Sequence, residues 1–137
     1  MLLKKIFVIS LFLICINFSY SQSKIYNSKG AFSSNIIGYY DNGKIYSSGG
    51  VFSSYLIGFI DNGKIYTKGG VFSSNLAGFI ENGKIYGKGG VFTTNLIGYI
   101  ENSKVYSRGG IFSSNIVGYF EGGMMSGAAA AAILLIL

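Results

Sequence analysis

From Lys24 to Gly123 the chain is one twenty-residue phrase written five times without an insertion. The copies are KIYNSKGAFSSNIIGYYDNG (24–43), KIYSSGGVFSSYLIGFIDNG (44–63), KIYTKGGVFSSNLAGFIENG (64–83), KIYGKGGVFTTNLIGYIENS (84–103) and KVYSRGGIFSSNIVGYFEGG (104–123). A fixed period of this kind means that one small unit is stacked or closed on its neighbours, as a solenoid, a propeller or a symmetric ring. Ile, Val, Tyr, Phe and Thr dominate each copy and strong helix formers are scarce, so the unit is built of strands.

Asn-Gly at 42–43, 62–63 and 82–83 predicts a two-residue hairpin turn, because both central residues of a type I′ turn need positive φ. Asn102-Ser103 is a poorer version, expected to be slightly strained. Asp41 with Lys44, Asp61 with Lys64, Glu81 with Lys84 and Glu101 with Lys104 flank these turns. Such cross-strand pairs add ~0.2–1 kcal/mol each. A second reversal lies between Tyr66 and Leu76 and its equivalents, at Gly69-Gly70 or at Ser73-Ser74-Asn75; the sequence does not choose between them, nor does it place Val71-Phe72 in a strand. Either choice gives two strands per copy and ten antiparallel strands in all.

LIGFI and its relatives are apolar at neighbouring positions, unlike a strand with one wet face. A glycine stands at 38, 58, 78, 98 and 118. Glycine inside a strand marks a bulge, a bend or close approach of other atoms. Five at one level would form a ring without side chains and leave room on an axis. MMSGAAAAAILLIL, 124–137, is uncharged and rich in good helix formers. A helix over 127–137 would be ~16 Å long, matched to a strand of six or seven residues at ~20–23 Å. The expectation is therefore an all-β fold: a closed, shallow, antiparallel barrel of about ten strands, with the tail turning inward at Glu121-Gly122-Gly123 to fill the lumen. Its Ala-rich start would occupy the narrow level and ILLIL the wider one. Closure requires the strand at Ile116–Phe120 to pair with the one starting at Lys24. The competing role for the tail is contact with a membrane.

Residues 1–21 have Lys4 and Lys5, an apolar run from Ile6 to Phe18 and Ser19-Tyr20-Ser21 before Gln22, which reads as a cleaved secretory signal peptide. The domains are then 1–21 signal, 22–123 barrel and 124–137 helix, with the mature chain secreted, periplasmic or associated with the cell envelope. The single cysteine, Cys15, lies in the signal, and His, Pro and Trp are absent. The remaining nine basic and five acidic residues leave a net charge of +4, which favours anionic surfaces such as lipid headgroups or acidic glycans.

Symmetric hairpin repeats such as GFIDNG–KIY (58–66) after a signal peptide resemble the β-flower proteins, here in a five-fold form, over Lys24 to Gly123. The resemblance implies a shallow radial barrel with an apolar interior, similar to the tubby C-terminal domain and phospholipid scramblases, where a barrel surrounds a hydrophobic C-terminal helix. It implies lipid binding by analogy only, and no tubby-type phosphoinositide motif can be placed on this sequence.

An enzyme is not expected. The only acids of the mature chain, Asp41, Asp61, Glu81, Glu101 and Glu121, sit at surface turns, and the Ser-Ser and Thr-Thr pairs have no general base. A metal ring of the five acids is opposed by the lysines beside them, and no cofactor is implied. Lys29, Lys68, Lys88 and Arg108 occupy nearly one repeat position, with Ser48 in copy two and Lys29 one residue late. In a closed barrel they gather at one rim, where they grip phosphate or sulfate groups or, more simply, keep a β-rich surface soluble. Three aromatic sets recur: Tyr26, Tyr46, Tyr66, Tyr86 and Tyr106; Phe32, Phe52, Phe72, Phe92 and Phe112; and Tyr39, Phe59, Phe79, Tyr99 and Tyr119. Without Trp they read as core and girdle rather than as the aromatic cages of choline-binding repeats.

The expected function is a non-enzymatic structural or binding module of the envelope that meets membrane lipid or another anionic surface as a monomer, with no nucleic-acid partner. The alternative is an open hairpin solenoid that binds glycan or choline-like groups between repeats. An outer-membrane barrel would need strands of ~9–11 residues and a polar lumen.

Overall fold

The computed structural model describes residues 22–137, and the expected signal peptide at 1–21 lies outside the described residues. The strands are β1 (Ser23–Asn27), β2 (Ile36–Asp41), β3 (Lys44–Ser47), β4 (Leu56–Asp61), β5 (Lys64–Thr67), β6 (Leu76–Glu81), β7 (Lys84–Gly87), β8 (Leu96–Glu101), β9 (Lys104–Ser107) and β10 (Ile116–Phe120). Each pairs antiparallel with its sequence neighbours, and β10 returns to β1, so the ten strands form a closed barrel. At the seam Ile25 faces Phe120 and Tyr26 faces Tyr119. This pairing rules out the open solenoid considered above. The strands run four to six residues, mostly shorter than expected, because both candidate reversals are used. A tight turn such as Thr67–Gly70 is followed by a short 3-10 turn at Ser73–Asn75, and Val71-Phe72 belongs to neither strand.

The turns at the other end follow the Asn-Gly rule. Asn42, Asn62 and Asn82 have φ of 44°, 46° and 49°, and the glycine after each is also left-handed. Asn102 and Ser103 adopt the same shape at 49° and 61°, so Ser103 carries a conformation that a side chain resists.

The apolar-apolar-Gly pattern has a specific cause. Ile45 pairs with Gly58 but Tyr46 pairs with Leu56, which leaves Ile57 as the extra residue of a bulge. The same shift recurs between β1 and β2, β5 and β6, β7 and β8, and β9 and β10. Ile37, Ile57, Ala77, Ile97 and Val117 are thereby packed against the core alongside the glycines that follow them.

Two rings of larger side chains lie toward the hairpin turns. Tyr40 faces Ile45, Ile60 faces Ile65, Ile80 faces Ile85, Ile100 faces Val105, and Phe120 faces Ile25 across the seam. Ile25, Ile45, Ile65, Ile85 and Val105 are completely buried.

The lumen is filled by a helix, α1 (Met124–Leu135). It begins where the 124–137 segment does, directly after Gly123, whose carbonyl accepts the Gly127 N–H at 3.1 Å. Ala128 to Ala132 are completely buried within the ring of strands. Their small size is required, since a Cβ at Gly127 would already stand 2.6 Å from Ile100 Cγ2 and 2.7 Å from Phe120 Cζ.

Past the alanines, the five residues ILLIL open as a five-spoked layer. A Cβ added at Gly38 would meet Ile133 Cδ1 at 2.5 Å, at Gly118 Leu134 Cδ1 at 2.5 Å, and at Gly98 Leu135 Cδ1 at 2.6 Å. At Gly78 it would meet Ile136 Cδ1 at 2.8 Å and at Gly58 Leu137 Cδ1 at 3.0 Å. Each residue of the tail thus addresses one hairpin, in the order one, five, four, three, two. An α-helix turns about 100° per residue, whereas neighbours in a five-fold ring stand about 72° apart. The chain resolves the mismatch by widening: Leu137 N–H donates to the Ala132 carbonyl at 2.7 Å, five residues back, in addition to the ordinary bond from Ile136 at 3.0 Å.

The strand glycines are also tight against backbone, with a Cβ at Gly98 only 2.5 Å from the Tyr106 carbonyl oxygen. Gly98→Ala should lower unfolding free energy by at least ~1–3 kcal/mol through overpacking. Gly87→Ala is the control, because its Cβ would meet nothing closer than 3.8 Å. Urea titration of both should show a large loss for the first and little change for the second.

Candidate functional site

The barrel has two unlike rims. The hairpin-turn rim carries Asp41, Asp61, Glu81, Glu101 and Glu121 with Lys24, Lys44, Lys64, Lys84 and Lys104, so its formal charge is zero. In β2–β3 Asp41 stands directly across from Lys44, and the next three hairpins repeat the arrangement. At the seam no turn joins the strands, and side chains take its place. The Tyr26 hydroxyl donates to Glu121 Oε1 at 2.6 Å, the Glu121 N–H donates to the Lys24 carbonyl at 3.0 Å, and the Lys24 N–H reaches Glu121 Oε2 at 3.4 Å. The Tyr26 phenol is pushed up from 10.0 to about 12, first by its bond to Glu121, then by burial and by the nearby carboxylate charge. Deprotonation would remove that bond and place a second anion beside Glu121. Among the described residues no group of three His, Cys, Asp or Glu side chains is placed to hold a metal ion.

The opposite rim is made by the five loops that join β1 to β2, β3 to β4, β5 to β6, β7 to β8 and β9 to β10. Lys29, Lys68, Lys88 and Arg108 all lie there, exposed on the tight turns. Because the other rim is neutral, these four residues account for the whole net charge of the described chain. Copy two has Ser48 at this place and contributes no cation.

The same loops hold the main departure from the sequence reading. Phe32, Phe52, Phe72, Phe92 and Phe112 were expected in the core or girdle, yet each is 65–67% exposed. The Tyr26 set, by contrast, is buried. The loops explain the difference. Phe72 N–H donates to the Gly70 carbonyl at 2.9 Å, and Asn75 N–H donates back to the Phe72 carbonyl at 2.9 Å. The phenylalanine is pinned by its backbone at the corner, with its ring edge over Gly70, where a Cβ would stand 2.9 Å from Cε2. Gly70 itself needs a φ of +113°. Asn35, Asn75, Asn95 and Asn115 close the loops by donating Nδ2–H to the carbonyls of Gly30, Gly70, Gly90 and Gly110 at 2.9–3.1 Å. The signal in the sequence was the setting of each phenylalanine, between glycines and a Ser-Ser or Thr-Thr pair, where no strand can form around it.

Val71, Val91 and Ile111 extend the exposed apolar surface of these loops. The glycine level and its ILLIL layer lie on the loop side of the helix, and Leu137 is 43% exposed. A ring of exposed phenylalanines, each fixed at its backbone, with cations on the adjacent turns is thus presented on one end of the barrel. Comparison with protein-family models, with curated proteins and with solved structures gave no match.

The seam makes a pH prediction. A raised phenol pKa means that the neutral form is favoured by folding, so this stabilisation is complete below pH 10 and lost as the pH rises through about 12. Wild-type stability, measured by denaturant titration, should hold up to about pH 10 and fall as the pH rises from there toward about 12. Tyr26→Phe should show a flatter profile, and an unchanged slope would contradict the assignment.

Proposed function

We propose that this protein is a non-enzymatic module of the cell envelope that docks on anionic lipid through its phenylalanine-bearing rim. The observation that carries the reading is the coincidence of five exposed phenylalanines and all of the uncompensated positive charge on one end of the barrel. Apolar side chains such as Phe bury at the headgroup–acyl boundary of peripheral membrane binders. Basic residues near an anionic leaflet add ~1 kcal/mol each.

Docking of a second copy on the same rim is disfavoured, because it would bring like charges together. Crossing the bilayer is disfavoured too: strands of four to six residues fall short of the ~9–11 that a membrane barrel uses, and no helix in the described chain is long and apolar enough to cross. The resemblance to β-flower proteins, and through them to tubby and scramblase barrels, supports a lipid-facing role, and export directed by residues 1–21 would bring the domain to an envelope surface. The five acids sit singly at the hairpin turns and the seam, which supports a role without catalysis.

Flotation with phosphatidylglycerol vesicles tests this. The protein should float at low ionic strength and much less at about 1 M salt, where the Debye length is ~3 Å. Lys68→Gln/Lys88→Gln/Arg108→Gln should weaken docking by about 3 kcal/mol, roughly a hundredfold. Lys44→Gln/Lys64→Gln/Lys84→Gln removes the same charge from the other rim and should cost far less. Phe72→Ser/Phe92→Ser should leave the fold intact and reduce the salt-resistant part. Equal effects of the two charge variants would overturn the reading.

A further inference from the structure

The rim departs from five-fold symmetry most in copy two. Its turn carries no cation, with Ser48 and Gly49 where the others have Lys68, Lys88 and Arg108 or, one residue later, Lys29, and Tyr55 replaces the asparagine that stands at 35, 75, 95 and 115. Tyr55 has no amide to donate to the Gly50 carbonyl. Its ring lies directly over Gly49, leaving no space for even a Cβ there. It meets Phe52 edge to face, with ring centroids 6.4 Å apart and planes at 63°. Phe52 is 65% exposed and Tyr55 41%. This sector therefore offers two aromatic rings to solvent and no formal charge.

Its neighbours are basic. The strand order places the copy-two loop between the loop that carries Lys29 and the one that carries Lys68. A cationic group is repelled at the turns of the other four copies. At copy two it finds instead two partly exposed aromatic rings and no charge on the turn, with basic residues in the neighbouring loops for an attached phosphate. A quaternary ammonium suits so exposed a site better than a primary one, because it is weakly hydrated and gives up little on contact.

We propose that the copy-two sector binds the choline group of phosphatidylcholine, with Tyr55 and Phe52 on the trimethylammonium and Lys29 or Lys68 on its phosphate. This rests on the lipid-docking reading and gives one sector of that rim a headgroup preference. The remaining four sectors keep their preference for anionic lipid, so the rim as a whole would favour a mixed surface.

The test uses variants that copy the other repeats, so folding is not at issue: Tyr55→Asn and Ser48→Lys/Tyr55→Asn. Titration of the protein with tetramethylammonium chloride, followed by amide NMR shifts, should give saturable changes confined to residues 47–56. Tyr55→Asn should weaken them about two- to fivefold, and Ser48→Lys/Tyr55→Asn should remove them. Adding phosphatidylcholine to phosphatidylglycerol vesicles should strengthen flotation of the wild type relative to the double variant. Shifts that are absent, spread evenly over all five loops, or unchanged by Tyr55→Asn overturn the proposal. A failure of the docking reading is seen separately, as no flotation on pure phosphatidylglycerol vesicles, because the tetramethylammonium titration involves no membrane.

Discussion

The fit between five glycines and five tail side chains holds the rest of the structure in place. A shallow barrel of four- to six-residue strands encloses little apolar surface by itself. Side chains from the wall cannot fill the axis at the glycine level, since none exist there. The helix supplies that filling from inside, with alanines where the wall side chains are large and ILLIL where the wall has none. The match extends to local geometry. The last turn of the chain widens so that consecutive residues step from one hairpin to the next. Interiors pack to crystal-like density, so a plug in the wrong register would leave voids and clashes together.

Closure follows from the same arrangement. Ten short strands left open would expose two unpaired edges and one apolar face. Pairing β1 with β10 removes the edges, and α1 covers the face. The seam has no covalent turn, and the contact of Tyr26 and Glu121 stands where an Asn-Gly or Asn-Ser turn joins the other strand pairs. Because the chain passes inward at Glu121–Gly123, the helix enters at the neutral rim and finishes toward the basic one. The charge segregation and the exposed phenylalanines belong to that second end, and the functional reading comes from there.

Much of this was legible in the sequence because each feature had a local cause. Asn-Gly with flanking charges fixed the hairpins, the period fixed their number, and the missing turn in copy five marked the seam. The glycine column announced the space on the axis. What could not be read was anything set by the exact path of the longer loops. Phe72 looks like a core residue by type, and only the corner formed by Gly70 and Asn75 turns it outward. The helix starts at Met124 as the 124–137 segment suggested, although Met-Met-Ser-Gly carries no capping signal and Gly123 makes no side-chain cap. Lys29, Lys68, Lys88 and Arg108 were placed on the right rim by position alone, but their meaning changed once the phenylalanines were found beside them. Ser48 and Tyr55 lie in the one loop between β3 and β4, so the two departures of copy two fall in a single sector of the rim.

The central claim is that the terminal five residues sit one to a glycine inside the ring. Methyl-to-Hα nuclear Overhauser contacts test it most directly. Ile133 should contact Gly38, Leu134 Gly118, Leu135 Gly98, Ile136 Gly78 and Leu137 Gly58, in that reversed order around the barrel. Methyl groups that see only one another and water, or that contact glycines without this order, would contradict the account.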